Sequence, residues 1–151
     1  MAITKVTSSV LDVDIPAYKA FGTDSIMIGD TTTGTIDAAN YNTGLGVDVF
    51  AALTSGDNNV AVGFQSLTAN TTGGSNTSVG YKSLDANTTG SSNTSVGKSA
   101  MGAATEGDNN TGIGAGALGA VTTGSQNTAV GTSAGGGTTA SNNTSVGYAA
   151  L

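Results

Sequence analysis

Asn76-Thr77-Ser78-Val79-Gly80 returns one period later as Asn93-Thr94-Ser95-Val96-Gly97, and this recurrence decides the fold. The pattern continues forward as Asn110-Thr111-Gly112-Ile113-Gly114, Asn127-Thr128-Ala129-Val130-Gly131 and Asn143-Thr144-Ser145-Val146-Gly147. Backward it reads Asn59-Val60-Ala61-Val62-Gly63, Asn42-Thr43-Gly44-Leu45-Gly46 and Ser25-Ile26-Met27-Ile28-Gly29. The eight copies keep a period of 17, except that the last step is 16. A fixed period of this size is the mark of a structure built by stacking one unit on the next.

Within the motif the fourth position is always branched aliphatic and the fifth always Gly. Alternation of period two predicts a short strand whose second and fourth side chains share a face. Ile26 and Val60 replace Thr at the second position, so that face is expected to point inward. The third position is small in seven copies of eight, giving a second, smooth row.

Between the strands lies a looser block ending in a large apolar residue, as in Phe64-Gln65-Ser66-Leu67, Tyr81-Lys82-Ser83-Leu84 and Lys98-Ser99-Ala100-Met101. It reads as a second strand or one helical turn. A polar corner such as Thr72-Gly73-Gly74-Ser75 then returns the chain, with Gly three residues before the motif in six copies. Gly at that spacing is expected to supply a positive φ. One strand, one apolar anchor and one turn per period predict an all-β fold, a β-solenoid or β-roll of about eight coils. At about 4.8 Å per coil the rod is roughly 35–40 Å long. The only Pro, Pro16, stands outside the repeats, where no ladder needs its missing N–H. The expected division is an N-terminal attachment or capping segment over 1–24 and the solenoid fibre over 25–151, continuing in a longer natural chain.

Such a coil offers few apolar groups against the entropy of ordering its whole length. The small row, which includes Ala61, Ser78, Ser95 and Ala129, allows close approach between chains, and a homotrimer packed about a common axis is expected.

Composition narrows the chemistry. With no His and no Cys among 151 residues, imidazole acid-base work, thiol nucleophiles, disulfides and the usual nitrogen/sulfur zinc sites are excluded. Ten acidic against four basic residues, for a net charge of -6, speak against nucleic acid as a partner. No apolar run reaches the length of a signal peptide or membrane span, so neither a leader nor membrane insertion is expected. The acids Asp12, Asp14, Asp24, Asp30, Asp37, Asp48, Asp57, Asp85, Glu106 and Asp108 read as turn and solubility residues, without a catalytic assignment. The Gly-rich corners lack the Gly-Lys-Ser/Thr of a phosphate loop, and Asp12-Val13-Asp14 lacks the Gly and closing Glu of a calcium loop. No cofactor, metal or catalytic residue is expected. The sequons Asn70-Thr71-Thr72 and Asn76-Thr77-Ser78 arise from the repeat itself.

The Asn-x-x-aliphatic-Gly strands, best seen in 57–63 and 24–29, resemble the head repeats of YadA-like trimeric autotransporter adhesins. The longer unit of Asn59 through Leu84, with strand, Ser-Leu anchor and Asn-Thr-Thr-Gly corner, is similar to repeats of bacteriophage tail and virion fibres. The resemblance covers residues 22–151, and the opening Met-Ala-Ile-Thr-Lys-Val also looks like a phage structural protein. It implies an extracellular virion fibre, trimeric and not an enzyme, that spaces and presents a host-binding tip. Residues 1–24 would join other virion proteins, and a distal region would bind a cell-surface receptor. The head of a bacterial trimeric adhesin is the alternative. An ice-binding solenoid would use the Thr row, Thr77, Thr94, Thr111, Thr128 and Thr144, but that row is expected inside. A carbohydrate-binding solenoid would use Phe64, Tyr81 and Tyr148, which are irregularly spaced.

Overall fold

The computed structural model describes Tyr18–Lys19, Ile26–Ile28 and residues 39–151. Every regular element among them is a strand. β1 (Tyr18–Lys19) pairs antiparallel with β2 (Ile26–Ile28). From there all pairing is parallel, through β3 (Thr43–Leu45), β4 (Val60–Val62), β5 (Thr77–Val79), β6 (Thr94–Val96), β7 (Thr111–Ile113), β8 (Thr128–Val130) and β9 (Thr144–Val146). Sheet order follows chain order, and equivalent motif positions face one another at each rung, Val79 opposite Val96 and Thr77 opposite Thr94. The chain is a β-solenoid, with six full turns between β3 and β9. The rest of 1–24 and residues 29–38, Gly29 included, lie outside the described residues.

Turns stack because the backbone between strands also forms ladders. Leu67 N–H donates to Ser83 O at 3.2 Å, Thr71 N–H to Thr88 O at 2.9 Å and Ser75 N–H to Asp57 O at 2.8 Å. The block after the motif Gly is neither strand nor helix. Gln65 (φ 55°) and Leu67 (φ 51°), and likewise Lys82 and Leu84, hold left-handed backbone. This geometry turns Gln65 N–H back to Val47 O while Leu67 N–H points forward to Ser83 O. A bulky residue at positive φ is costly. It is held here by hydrogen bonds to the rungs on both sides.

The sequence reading of the two faces is reversed in the structure. The third motif position points inward: Gly44, Ala61, Ser78, Ser95, Gly112, Ala129 and Ser145 are buried, whereas the second and fourth positions are half-buried or exposed. The interior between stacked turns is narrow. Opposite the strands it is already filled by the anchor column Phe50, Leu67, Leu84, Met101 and Leu118, all fully buried or 1% exposed. A Cβ on Gly112 would sit 2.9 Å from Met101 Cγ, so only a small residue fits beneath an anchor this large. The small row therefore packs within the chain. It is not the contact between chains.

The two glycine columns also exchange roles. The motif glycines carry the positive φ, +139° at Gly80, and a Cβ there would lie 2.5 Å from Gly97 O. The corner glycines have ordinary φ. At Gly73 a side chain would strike the backbone carbonyl of Gly90 and the Asn70 amide.

Candidate functional site: the outward sheet face

The strands are held flat by a column of buried asparagines at the first motif position, Asn42, Asn59, Asn76, Asn93, Asn110 and Asn127. Each side-chain oxygen accepts the backbone N–H of the Asn one rung on, as in Asn93 N to Asn76 Oδ1 (3.0 Å) and Asn110 N to Asn93 Oδ1 (2.9 Å). Each amide nitrogen donates to a corner carbonyl, Asn76 Nδ2 to Gly90 O and Asn110 Nδ2 to Gly124 O, both 2.9 Å. A buried backbone donor at the strand entrance is thus satisfied at every rung. Serines continue the network on the other side. Ser66 Oγ donates to Ser78 Oγ at 2.8 Å and Ser83 Oγ to Ser95 Oγ at 2.7 Å. These buried amides also close the sequons, since Asn70 and Asn76 are fully buried.

With the interior so fixed, the opposite side chains form a face. One outward column is Thr43, Val60, Thr77, Thr94, Thr111, Thr128 and Thr144; the next is Leu45, Val62, Val79, Val96, Ile113, Val130 and Val146. Leu45 is 49% exposed, Ile113 40% and Val146 69%. The residue after each Gly adds a third column, Val47, Phe64, Tyr81, Lys98, Ala115, Thr132 and Tyr148. In it the Phe64 and Tyr81 rings stack at a centroid separation of 5.5 Å and 19° between planes, with Lys82 Nζ 5.9 Å from the Tyr81 centroid. Two adjacent rungs thus join aromatics that look scattered in the sequence.

Seven rungs at about 4.8 Å and three outward positions across make a surface of roughly 34 Å by 15–20 Å. Its area, on the order of 500–700 Å², approaches the roughly 800 Å² per partner of a standard protein interface. Among the described residues Lys98 is the only charged residue in its three columns, and the Lys82 ammonium reaches its border at Tyr81; Asp48, Asp57, Asp85, Glu106 and Asp108 stand on other columns. Absence of charge from the centre is what distinguishes an interface from ordinary surface.

The carboxylates have local work. Asp57 Oδ1 accepts the N–H of Asn40 and Asp108 Oδ1 that of Ser91, each at 2.7 Å and each from the preceding rung. Asp48 Oδ2 accepts from Gln65 Nε2 at 3.2 Å. Burial pushes the Asp85 carboxyl above its ordinary value, opposed in part by a backbone hydrogen bond and by the charge of Lys82. Asp12, Asp14, Asp24, Asp30 and Asp37 fall outside the described residues. Among the described residues no three His, Cys, Asp or Glu side chains come together as a metal site, and no helix is long and apolar enough to cross a membrane.

Of the repeat residues singled out in the sequence, the aliphatic series from Leu45 to Val146 forms the middle column of this face. The glycines Gly46 to Gly147 end its strands, and Ile28 continues the series in β2. Stacking of the asparagines is legible in the repeat, where Asn stands in seven copies of eight, but their work at the strand entrance, each side chain accepting the next rung's backbone N–H, was not read from the sequence. No protein family, curated protein or solved structure matches the chain.

Proposed function

We propose that the chain is a non-enzymatic, structural and adhesive fibre segment of a bacteriophage virion, homotrimeric through its outward sheet face, that spaces and presents a host-binding tip. The observation that carries this reading is the fourth motif position. It is branched aliphatic in all eight copies and faces outward in the seven from Leu45 to Val146, while the buried third position of those seven drifts among Gly, Ala and Ser. An exposed position held apolar through every repeat is one that something covers. A copy of the same chain is the natural cover, since its rungs repeat at the same pitch. Rotation about an axis parallel to the rod brings Val79 to the height of Val79 on each neighbour.

A stacked ladder is stiff along its axis, so three rods sharing one apolar seam form a spacer. Many such spacers on one particle bind a receptor by multivalency, without tight single contacts. The repeat resemblance supplies the virion setting, in which residues 1–24 join other particle proteins.

Two measurements test the reading. Sedimentation should give a mass three times the 14.5 kDa of one chain, and the doubly substituted V79D/V96D chain should sediment as a folded monomer. Antibody against the chain should label fibres on intact particles by electron microscopy. Label on the bacterial surface instead would replace the phage fibre by its alternative, a trimeric adhesin head. A native chain that stays monomeric would overturn the oligomer.

The outward threonine column favours a second reading, because the sequence argument against ice binding was that this column is internal. Ice and a partner copy would compete for one face. Thermal hysteresis of the folded native chain, lost in T94Y/T111Y, would replace the fibre reading.

A further inference from the structure

A strictly periodic face has many equivalent ways to meet a copy of itself. Sliding one copy by one rung, about 4.8 Å, still sets threonine against threonine and valine against valine except at the ends. A fibre whose subunits could slip in this way would present its tips at unequal heights.

The face of this chain is periodic in its backbone and not in its side chains. In the threonine column Val60 stands between Thr43 and Thr77. In the aliphatic column Leu45 and Ile113 are one methylene larger than the valines of the other five rungs. At the border of the face, Phe64 and Tyr81 form one stacked pair on the rungs of β4 and β5, and the same column then changes to Lys98 and Ala115. These departures sit where a repeat under no further constraint would keep the consensus residue, and all of them point outward.

Resting on the homotrimer reading, we infer that Leu45, Val60, Ile113 and the Phe64–Tyr81 pair form a register key. It fixes the copies in parallel, rung against like rung, with no axial offset. At zero offset each odd side chain meets its own counterpart about the axis. One rung out, Val60 meets a threonine hydroxyl and Leu45 crowds Val62, while two sites elsewhere are left underfilled. Core-like interfaces resist both errors. An antiparallel arrangement is excluded in the same way, because the key residues other than Ile113 are confined to β3–β5 and the turns that follow β4 and β5.

Charge complementation reads the register directly. Chains carrying V62K and V62D are mixed, refolded together and counted as mixed assemblies by native mass spectrometry, beside a mixture of V62K with V96D. Those two positions lie two rungs apart, about 9.6 Å. The key predicts that the same-rung pair co-assembles at least about tenfold more than the offset pair, since opposed charges meet only without slip. In an L45V/V60T/F64A/Y81A/I113V background, whose substitutions all lie on the outer surface, that preference should vanish. A charge-free second measurement is rod length in electron micrographs, single-valued for the native chain and spread in rung-sized steps for the levelled one. Equal pairing of V62K with V62D and V96D in the native background overturns the key. So does a levelled chain that keeps one length and the same-rung preference. A native chain that sediments as a monomer removes the homotrimer itself, an outcome separate from trimers that slip.

Discussion

Removing one amide from the middle of the asparagine column tests what holds the turns together. In Asn76→Ala the backbone N–H of Asn93 loses its acceptor, Asn76 Oδ1 at 3.0 Å, in a site where both residues are buried. Gly90 O loses one donor at 2.9 Å but keeps a second, Asn87 Nδ2 at 2.9 Å. One buried donor is therefore orphaned while the carbonyl is not. An orphaned buried donor costs about 1–3 kcal/mol, and the space left by the amide adds to it, for a total of about 2–4 kcal/mol. In a chain of this size about 2–4 °C of Tm goes with each kcal/mol, so the melting point should fall by about 5–15 °C. Asn110→Ala should cost more. It orphans Asn127 N–H, held at 3.0 Å, and among the described residues its amide is the only side-chain donor to Gly124 O. Urea and thermal unfolding followed by circular dichroism, at one protein concentration because association adds to stability, would measure both variants beside the exposed control Thr72→Ala. The reasoning fails if Asn76→Ala and Thr72→Ala unfold alike within about 0.5 kcal/mol, or if Asn110→Ala is the milder of the two asparagine variants.

Asn87 Oδ1 is the one buried side-chain acceptor left without a partner among the described residues. The next rung carries Ala104 where Asn70 and Asn87 stand on the two before it. Ala104→Asn should extend that short ladder and raise stability by about 1 kcal/mol in a urea titration. Gly80→Ala meets both a φ of +139° and the Gly97 carbonyl, and should cost more than about 3 kcal/mol or prevent folding. Gly137→Ala, with nothing within 4 Å of the added Cβ, should fall within about 0.5 kcal/mol of the native chain or above it. Asp85 is an acid whose folded pKa is raised, so its ionisation opposes folding; stability is gained as pH falls through the folded pKa toward the ordinary value of 3.8. Asp85→Asn should accordingly raise Tm at pH 7 and leave it unchanged at pH 3, as differential scanning calorimetry at the two pH values would record.

Periodicity was legible without any structure because stacking requires it. A strand that pairs with its own repeat must return at a constant interval, and the Gly ending each strand is forced by a backbone angle that side chains avoid. The anchors Leu67, Leu84 and Met101 were legible for the same reason, each being the large apolar residue that closes the block after the motif Gly. Which face of the strand points inward was not legible. Period-two alternation states that Thr77 and Val79 share a side and says nothing about which side that is. The rule that apolar means inside then selected the wrong one. That rule holds where the chain's own interior is the only apolar space on offer. Here the interior is a slot one anchor wide, filled by Leu84 on one wall and closed by Ser78 on the other, with no room for a branched side chain at every rung.

The signal that would have corrected the choice lies in the repeats themselves. The third position tolerates Gly, Ala and Ser because any residue small enough fits under an anchor that varies with it, Gly112 beneath Met101 and Ala129 near Gly135. The fourth admits Val, Ile and Leu alone, and a position answering only to solvent would have drifted toward Thr, Ser or Lys, as the neighbouring third outward column does from Lys98 to Thr132. Constancy on an exposed column is evidence of a surface that is covered when the protein works. On the proposed homotrimer, the apolar contacts that order so thin a chain are divided between two places, the slot within each coil and the seam between copies. For that reason the oligomer and the fold should be weakened together: V79D/V96D should unfold at a lower temperature than the native chain although no atom of the interior has changed.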